Sequence, residues 1–233
     1  MSQKLDLAAS YRILADHGVI DAYGHVTMRS ETDPNKYLIG RSLAPELMTE
    51  DDIMECDLDS KVLDDREPVN ERFIHGEIYK VRPDIVAVVH NHSPAVIPFS
   101  VTGVPMRPVY HMATFVGYGV PVFEIRDVRK GSNMLVSDNE LGAALAKTLG
   151  DKPAALMRGH GAVTVGENLQ RAVGRSIYLD QSARLQLQSI MLAGPNGNIV
   201  YNDDEETRVS TARQEYVRAW PLWYAKALKE MDR

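Results

Sequence analysis

A single cysteine among 233 residues leaves little room for sulfur chemistry. With Cys56 alone, no disulfide can close within the chain, no cysteine-based zinc site can form, and no paired-thiol redox centre is available. A reducing cytoplasm is therefore the expected compartment. No apolar run approaches the roughly 18 residues needed to cross a bilayer. The opening MSQKLDLAAS has neither the basic segment nor the apolar core of a signal peptide, so no membrane partner is expected. Positive charge is not in surplus either: 26 Lys and Arg stand against 32 Asp and Glu, a net charge of −6, which offers nucleic acid no electrostatic footprint. Neither GxGxxG nor the GxxxxGK phosphate loop follows a candidate strand, which removes the common nucleotide-binding turns.

What is present is an ordinary globular balance, 44% hydrophobic with 25% charged residues, at a length that suits one domain spanning 1–233. Leu5, Leu7, Ala8, Tyr11, Leu14 and Ala15 recur at helical spacing over 3–18, with Gly18 as a stop. Tyr23 to Arg29 alternates like a strand, and Tyr37 to Gly40 follows the Asp33-Pro34-Asn35 turn as another. Residues 57–65 read as a polar connection. A helix is expected from Glu71 to Lys80, closed by Arg82-Pro83, and then a doubly buried strand from Ile85 to Val89. The proline-rich middle predicts a strand at 120–125 and a helix at 139–149. A hairpin of 154–157 and 162–165 turns around Arg158-Gly159-His160-Gly161, and long helices are expected at 167–193 and 210–230. Irregularly interleaved helices and hairpins predict an α/β domain of three layers, α/β/α, around a mostly antiparallel sheet.

Three of the seven histidines sit where chemistry needs them. His90 and His92 close a strand, and residues i and i+2 of a strand project from one face, so one cation can meet both imidazoles. His160 lies between two glycines, residues that let backbone come close to a ligand, and is the candidate third ligand. An isolated HxH is equally a pair of satisfied core or surface histidines, and spacing alone does not show that His160 converges on it.

The segments ILADHGVIDAYGHVTMR, LMTEDDIMECDLDS, NERFIHGEIYKVRPDIVAVVHNHS and LMRGHGAVTVG resemble the class II aldolase and adducin family, in that family's order and at its spacing, over about residues 4–195. The resemblance implies that His90, His92 and His160 bind a divalent metal, with Zn, Mn, Co and Fe all compatible with the donor set. It places Glu71 at the family's catalytic glutamate, a general acid/base beside a metal-polarised oxygen; taken by itself, Glu71 is equally a helix-start glutamate favoured by the macrodipole. His75, one turn further on, can share that face or serve structure alone. A homo-oligomer, often a fourfold-symmetric tetramer with sites between subunits, is also implied. Trp220, Leu222, Trp223 and Leu228 in the C-terminal helix can meet a neighbour or pack in the core, and Tyr178 can enter an adjacent site.

The loops that hold phosphate in the sugar-phosphate members are altered here. Gly24 is kept, but His25 stands where those enzymes have asparagine. Leu38-Ile39-Gly40-Arg41-Ser42 replaces a Thr-Pro-Ser/Thr-Gly type loop, and Val69-Asn70 replaces two serines before Glu71. Val69 offers phosphate no side-chain hydrogen bond, whereas Arg41 and His25 can bind a carboxylate. His111 falls near the family's proton-donating tyrosine, with Tyr110 beside it. The runs SLAPELMTEDDIMECDLDS, ERFIHGEIYKVRPD and HSPAVIPFSVTGVPMRPVYHM are similar to those of metal-dependent decarboxylases of aromatic breakdown. The expected activity is therefore decarboxylation of a non-phosphorylated hydroxy-aromatic or ring-cleavage carboxylate, a small-molecule substrate. His25, Arg41, Ser42, Asn70 and Tyr178 would bind the substrate, and Glu71 or His111 would return the proton. Loss of carbon dioxide, like retro-aldol cleavage, leaves a carbanion that must be delocalised into a stabilised oxygen. An aldolase for a hydroxy-keto acid uses the same chemistry, and an adducin-like interaction protein would keep the fold without it.

Overall fold

A computed structural model describes residues 2–231. The seven strands are β1 (His25–Arg29), β2 (Lys36–Gly40), β3 (Ile53–Asp57), β4 (Ala87–Asn91), β5 (Val122–Phe123), β6 (Ala154–Met157) and β7 (Gly161–Gly166). They form one sheet in the order β3-β2-β1-β4-β7-β6-β5. Every neighbouring pair is antiparallel except β5 with β6 at the edge. The helices are α1 (Gln3–Asp16), α2 (Phe73–Val81), α3 (Ile97–Thr102), α4 (Asn139–Leu149), α5 (Leu169–Ala193), α6 (Asp204–Thr211) and α7 (Ala219–Met231). None of them is long and apolar enough to cross a membrane.

The central strand β4 shows how the layers arise. Its side chains alternate between faces: Ala87 and Val89 pack with Leu7, Tyr11 and Leu14 of α1, Val173 and Ile177 of α5, and Trp223 of α7. Val88, between them, packs with Ile74 and Ile78 of α2 and Leu141 and Leu145 of α4. Helices therefore cover both faces, giving the expected three layers. Side-chain caps set where the long helices begin: Ser2 accepts from the Leu5 amide, Asp138 from Leu141 and Asn168 from Arg171. Each satisfies an amide that the first turn leaves without a partner.

Three local expectations need correction, and one strand went unread. β4 runs two residues further than read, so His90 and Asn91 belong to the strand rather than following it. The strand at 120–125 shrinks to Val122–Phe123, a parallel edge pair. β3 was hidden by its acidic approach, Glu50-Asp51-Asp52, which forms a one-turn helix capped by Thr49 before the strand starts. The expected 210–230 helix starts only at Ala219, because a separate helix, Asp204–Thr211, ends where it was to begin and the chain breaks between them. The cause lies in Tyr216: its backbone is left-handed (φ 53°), and its ring lies flat against Gly174 of α5, where any β-carbon would collide with it. Reaching that slot turns the chain out of the helical path.

Candidate metal centre

The β4 alternation that sends Val88 toward α2 sends His90, and then His92, the same way. Both meet the tip of the β6–β7 hairpin, which carries His160. Two glycines shape this tip for different reasons. Gly159 takes a left-handed turn (φ 62°), while a β-carbon on Gly161 would lie 1.9 Å from the Asn91 carbonyl oxygen. The hairpin thus docks backbone to backbone on the end of β4. The His92 Nε2 ends 3.1 Å from the Nε2 atoms of both His90 and His160. Two nitrogens bound at right angles to one ion, with bonds of about 2.1 Å, are about 3.0 Å apart.

Glu71 completes the set. It sits in the one-turn helix Asn70–Arg72 ahead of α2, with non-helical torsions (φ −90°, ψ 22°). Its Oε1 accepts from the Val136 amide at 2.8 Å, which leaves Oε2 3.4 Å from His160 Nε2 and 3.7 Å from His90 Nε2. The four ligand atoms lie within 4.8 Å of one another.

The opposite ring nitrogens test whether the cluster suits a cation. His90 Nδ1 faces the Ala162 carbonyl at 3.2 Å, His160 Nδ1 the Met134 carbonyl at 3.0 Å, and His92 Nδ1 the Asp21 carboxylate at 3.1 Å. Carbonyls and carboxylates only accept, so each Nδ1 carries the hydrogen and each Nε2 points a bare lone pair at the others. Three lone pairs and a carboxylate fit a divalent ion. Burial pushes the Glu71 carboxyl up, but the contacts with His160 and His90 outweigh it and hold the group down to about 2, in its anionic form. Burial lowers the His160 imidazole, but Glu71, with help from the Met134 carbonyl and Asp21, raises it overall.

Asp21 escaped the sequence reading. Its carboxylate also accepts from the amides of Tyr23 and Gly24, so one short turn both enters β1 and orients His92. Nothing in composition marks it beyond its place in a segment carrying the family resemblance. The carbonyls of Ala162 and Met134 leave no trace in sequence at all.

Of the other candidates, several gather at this end of the sheet. His25 pairs across β1 with His90, and the β1–β2 register extended by two residues brings Arg41 opposite His25. Arg41 donates from Nε to Asp52 at 2.6 Å. Ser42 is exposed and its amide donates to the Glu67 carbonyl; Asn70 is exposed and adjoins Glu71. His25 and His75 are buried side by side, and burial pushes both imidazoles down, His75 to about 3. His111 and Tyr178 lie elsewhere. His111 opens the irregular helical run His111–Tyr118 with its ring against Tyr110. Tyr178, on α5, packs with Tyr110, Tyr216 and Trp223 across the sheet from the histidines.

Known proteins share this architecture. The family model for the class II aldolase and adducin N-terminal domain matches residues 5–187. Decarboxylase tropJ of Talaromyces stipitatus is 34% identical, covering 91% of this chain and 88% of that protein. The 3,4-dihydroxyphthalate decarboxylase of Arthrobacter keyseri is 32% identical over 81% and 79%. Among solved structures, L-fuculose 1-phosphate aldolase from Glaciozyma antarctica PI12 superposes with a TM-score of 0.78 at 23% identity, covering 96% of this chain and 87% of that one. With the fold, the motif order and these relatives in agreement, the chain belongs to the class II aldolase and adducin family.

Proposed function

We propose that this protein is a divalent-metal-dependent decarboxylase, a carbon–carbon lyase acting on a small non-phosphorylated hydroxy-aromatic or ring-cleavage carboxylate. The observation that carries the reading is the gathering of one ligand atom each from His90, His92, His160 and Glu71 within 4.8 Å of one another. A divalent ion bound there would supply Lewis acidity at the substrate oxygen where negative charge collects as carbon dioxide leaves. His90, His92 and His160 hold that ion, each aimed by the acceptor at its Nδ1. Arg41 offers the acid a guanidinium whose Nε is already anchored by Asp52, so its fork is held in place. Ser42 and Asn70 flank it. Glu71 keeps Oε2 toward the site and can carry the proton to carbon from that atom.

Substrate class is supported by the relatives named as 3,4-dihydroxyphthalate decarboxylases and by Val69 and Asn70 in place of the hydroxylic residues a phosphate would need. His111 and Tyr178 stand outside the cluster within one chain. A part for either in this chemistry requires a second copy, which the proposed homotetramer in the cytoplasm would bring.

Elemental analysis of the purified protein, followed by a carbon dioxide assay over ortho-hydroxy aromatic acids and ring-cleavage products, tests the reading. Carbon dioxide without an aldehyde fragment is the expected product. Pyruvate plus an aldehyde would make the protein an aldolase instead, and a protein that binds no divalent metal would overturn the enzymatic reading.

A further inference from the structure

Behind the metal ligands runs a line of four buried polar side chains, of which the chemistry above gives a part to His25 alone. His25 Nδ1 lies 2.6 Å from His75 Nε2, and His75 Nδ1 lies 2.8 Å from Thr27 Oγ1. Thr27 Oγ1 lies 2.9 Å from the Tyr79 hydroxyl, which donates to the Val86 carbonyl at 3.2 Å. His75 and Thr27 are fully buried, and Tyr79 and His25 are 1% and 2% exposed. Such a line is costly in an apolar layer unless every member is satisfied.

Two carbonyls at its far end point the line outward. Carbonyls only accept, so the Tyr79 hydrogen goes to Val86, and the Thr27 hydrogen goes to Tyr79 or to the Val88 carbonyl at 3.5 Å. Either way Thr27 Oγ1 is left to accept the His75 hydrogen on Nδ1, and His75 Nε2 to accept the His25 hydrogen on Nδ1. Run the other way, the Tyr79 oxygen would turn a lone pair on the Val86 carbonyl at 3.2 Å. With the outward order, all four hydrogens have acceptors and both imidazoles are neutral.

We propose that His75, Thr27 and Tyr79 are positioning residues that lock His25 as its Nδ1–H tautomer, so that Nε2 meets the substrate as a hydrogen-bond acceptor and selects a ligand with a hydroxyl beside its carboxylate. The His25 ring is 4.9 Å from that of His90, so whatever His25 touches lies next to the metal ligands. A bare lone pair repels a carboxylate oxygen and welcomes a hydroxyl hydrogen. The acid group is thereby left to Arg41, and its ortho-hydroxyl falls to His25. This assignment rests on the reading of the site as one for a hydroxylated acid, and it sharpens which part of that acid each residue meets.

The test uses the full chain, zinc-loaded, with ring nitrogens labelled for NMR. His25 should show hydrogen on Nδ1 and a bare Nε2. Thr27→Val removes the hydroxyl at nearly constant shape, so His75 loses its acceptor, moves its hydrogen to Nε2 and donates to His25, which then carries hydrogen on its own Nε2; Thr27→Ser should restore the first state. In parallel, the affinity for 2-hydroxybenzoate over benzoate should fall about tenfold in Thr27→Val, as expected when a site loses the partner for a ligand hydroxyl, and return in Thr27→Ser. Hydrogen on His25 Nε2 in the unaltered protein, or a folded Thr27→Val protein with tautomer and preference unchanged, would overturn the proposal. Absence of carbon dioxide release with the tautomer switch intact would instead sink only the decarboxylase reading.

Discussion

The histidine cluster on the α2 side of the sheet and the aromatic cluster on the α5–α7 side both mix buried with half-buried rings, yet they are held by different forces. Around His90, the Nδ1 of each of the three histidines has a directional partner, and the spacing comes from backbone contacts. Around Tyr178 the rings stack and tilt on one another at 5.3 Å from Tyr216 and 6.3 Å from Trp223, and the Tyr216 hydroxyl finds no partner. Hydrogen bonds specify geometry at little net gain in stability, whereas apolar area supplies stability with little say over angles. Damage to the first region should therefore appear in metal content and turnover, and damage to the second in unfolding free energy.

The sharpest break of this contrast is His92→Ala. Elemental analysis should find the metal gone and turnover at background while circular dichroism keeps its native form; full metal content with activity would refute the ligand assignment. Glu71→Gln follows, with turnover expected to fall about 10²–10⁴-fold, the usual share of a positioned acid or base. Retained turnover in that variant would remove Glu71 from the proton path. On the other side of the sheet, Trp223→Ala should cost about 3–5 kcal/mol in urea unfolding, as expected for a buried indole, and leave the metal stoichiometry of the folded fraction unchanged. Loss of metal at equal stability would erase the distinction between the regions.

Smaller effects sharpen it. Asp21→Asn keeps an acceptor for the Tyr23 and Gly24 amides but removes the charge facing His92 Nδ1. Metal affinity should drop about tenfold in a competition titration, at the low end for an outer partner of a ligating histidine. The smallest effect belongs to His17, which sits edge-on to Trp223 at 5.0 Å. Burial lowers its pKa from 6.5, so folding favours the neutral ring. That contribution is complete above the unfolded value and is lost as pH falls from about 6.5 through the folded one. His17→Gln should flatten the acid side of a stability–pH curve in that window, and an unchanged curve would show that the ring titrates freely.

The same contrast explains what could be read from the chain. His90 and His92 were legible as a same-face pair because a strand's two-residue period states which side chains share a face, whereas the two glycines marked only a constrained turn at His160 and the family resemblance alone tied it to the pair. The layers were legible in the periodicity of α1, α4 and α5. Tyr178 was not, since α5 is buried on more than one side and spacing does not say which neighbour a given aromatic meets. His111 begins an irregular helical run with no apolar period to orient it. The break before α7 depends on a slot above Gly174, over forty residues earlier, and Asp21 acts from a loop whose pattern carries no chemistry until β1 and β4 are paired.

The contact between Gly161 and the Asn91 carbonyl has a further meaning for how such a protein can diversify. Main chain alone sets the gap between β4 and the hairpin tip that carries His160, so substitutions in the helices or in the loop carrying Arg41 leave the spacing of the three histidines fixed. Substrate choice can then drift, one loop residue at a time, over a reactive centre that does not have to be rebuilt.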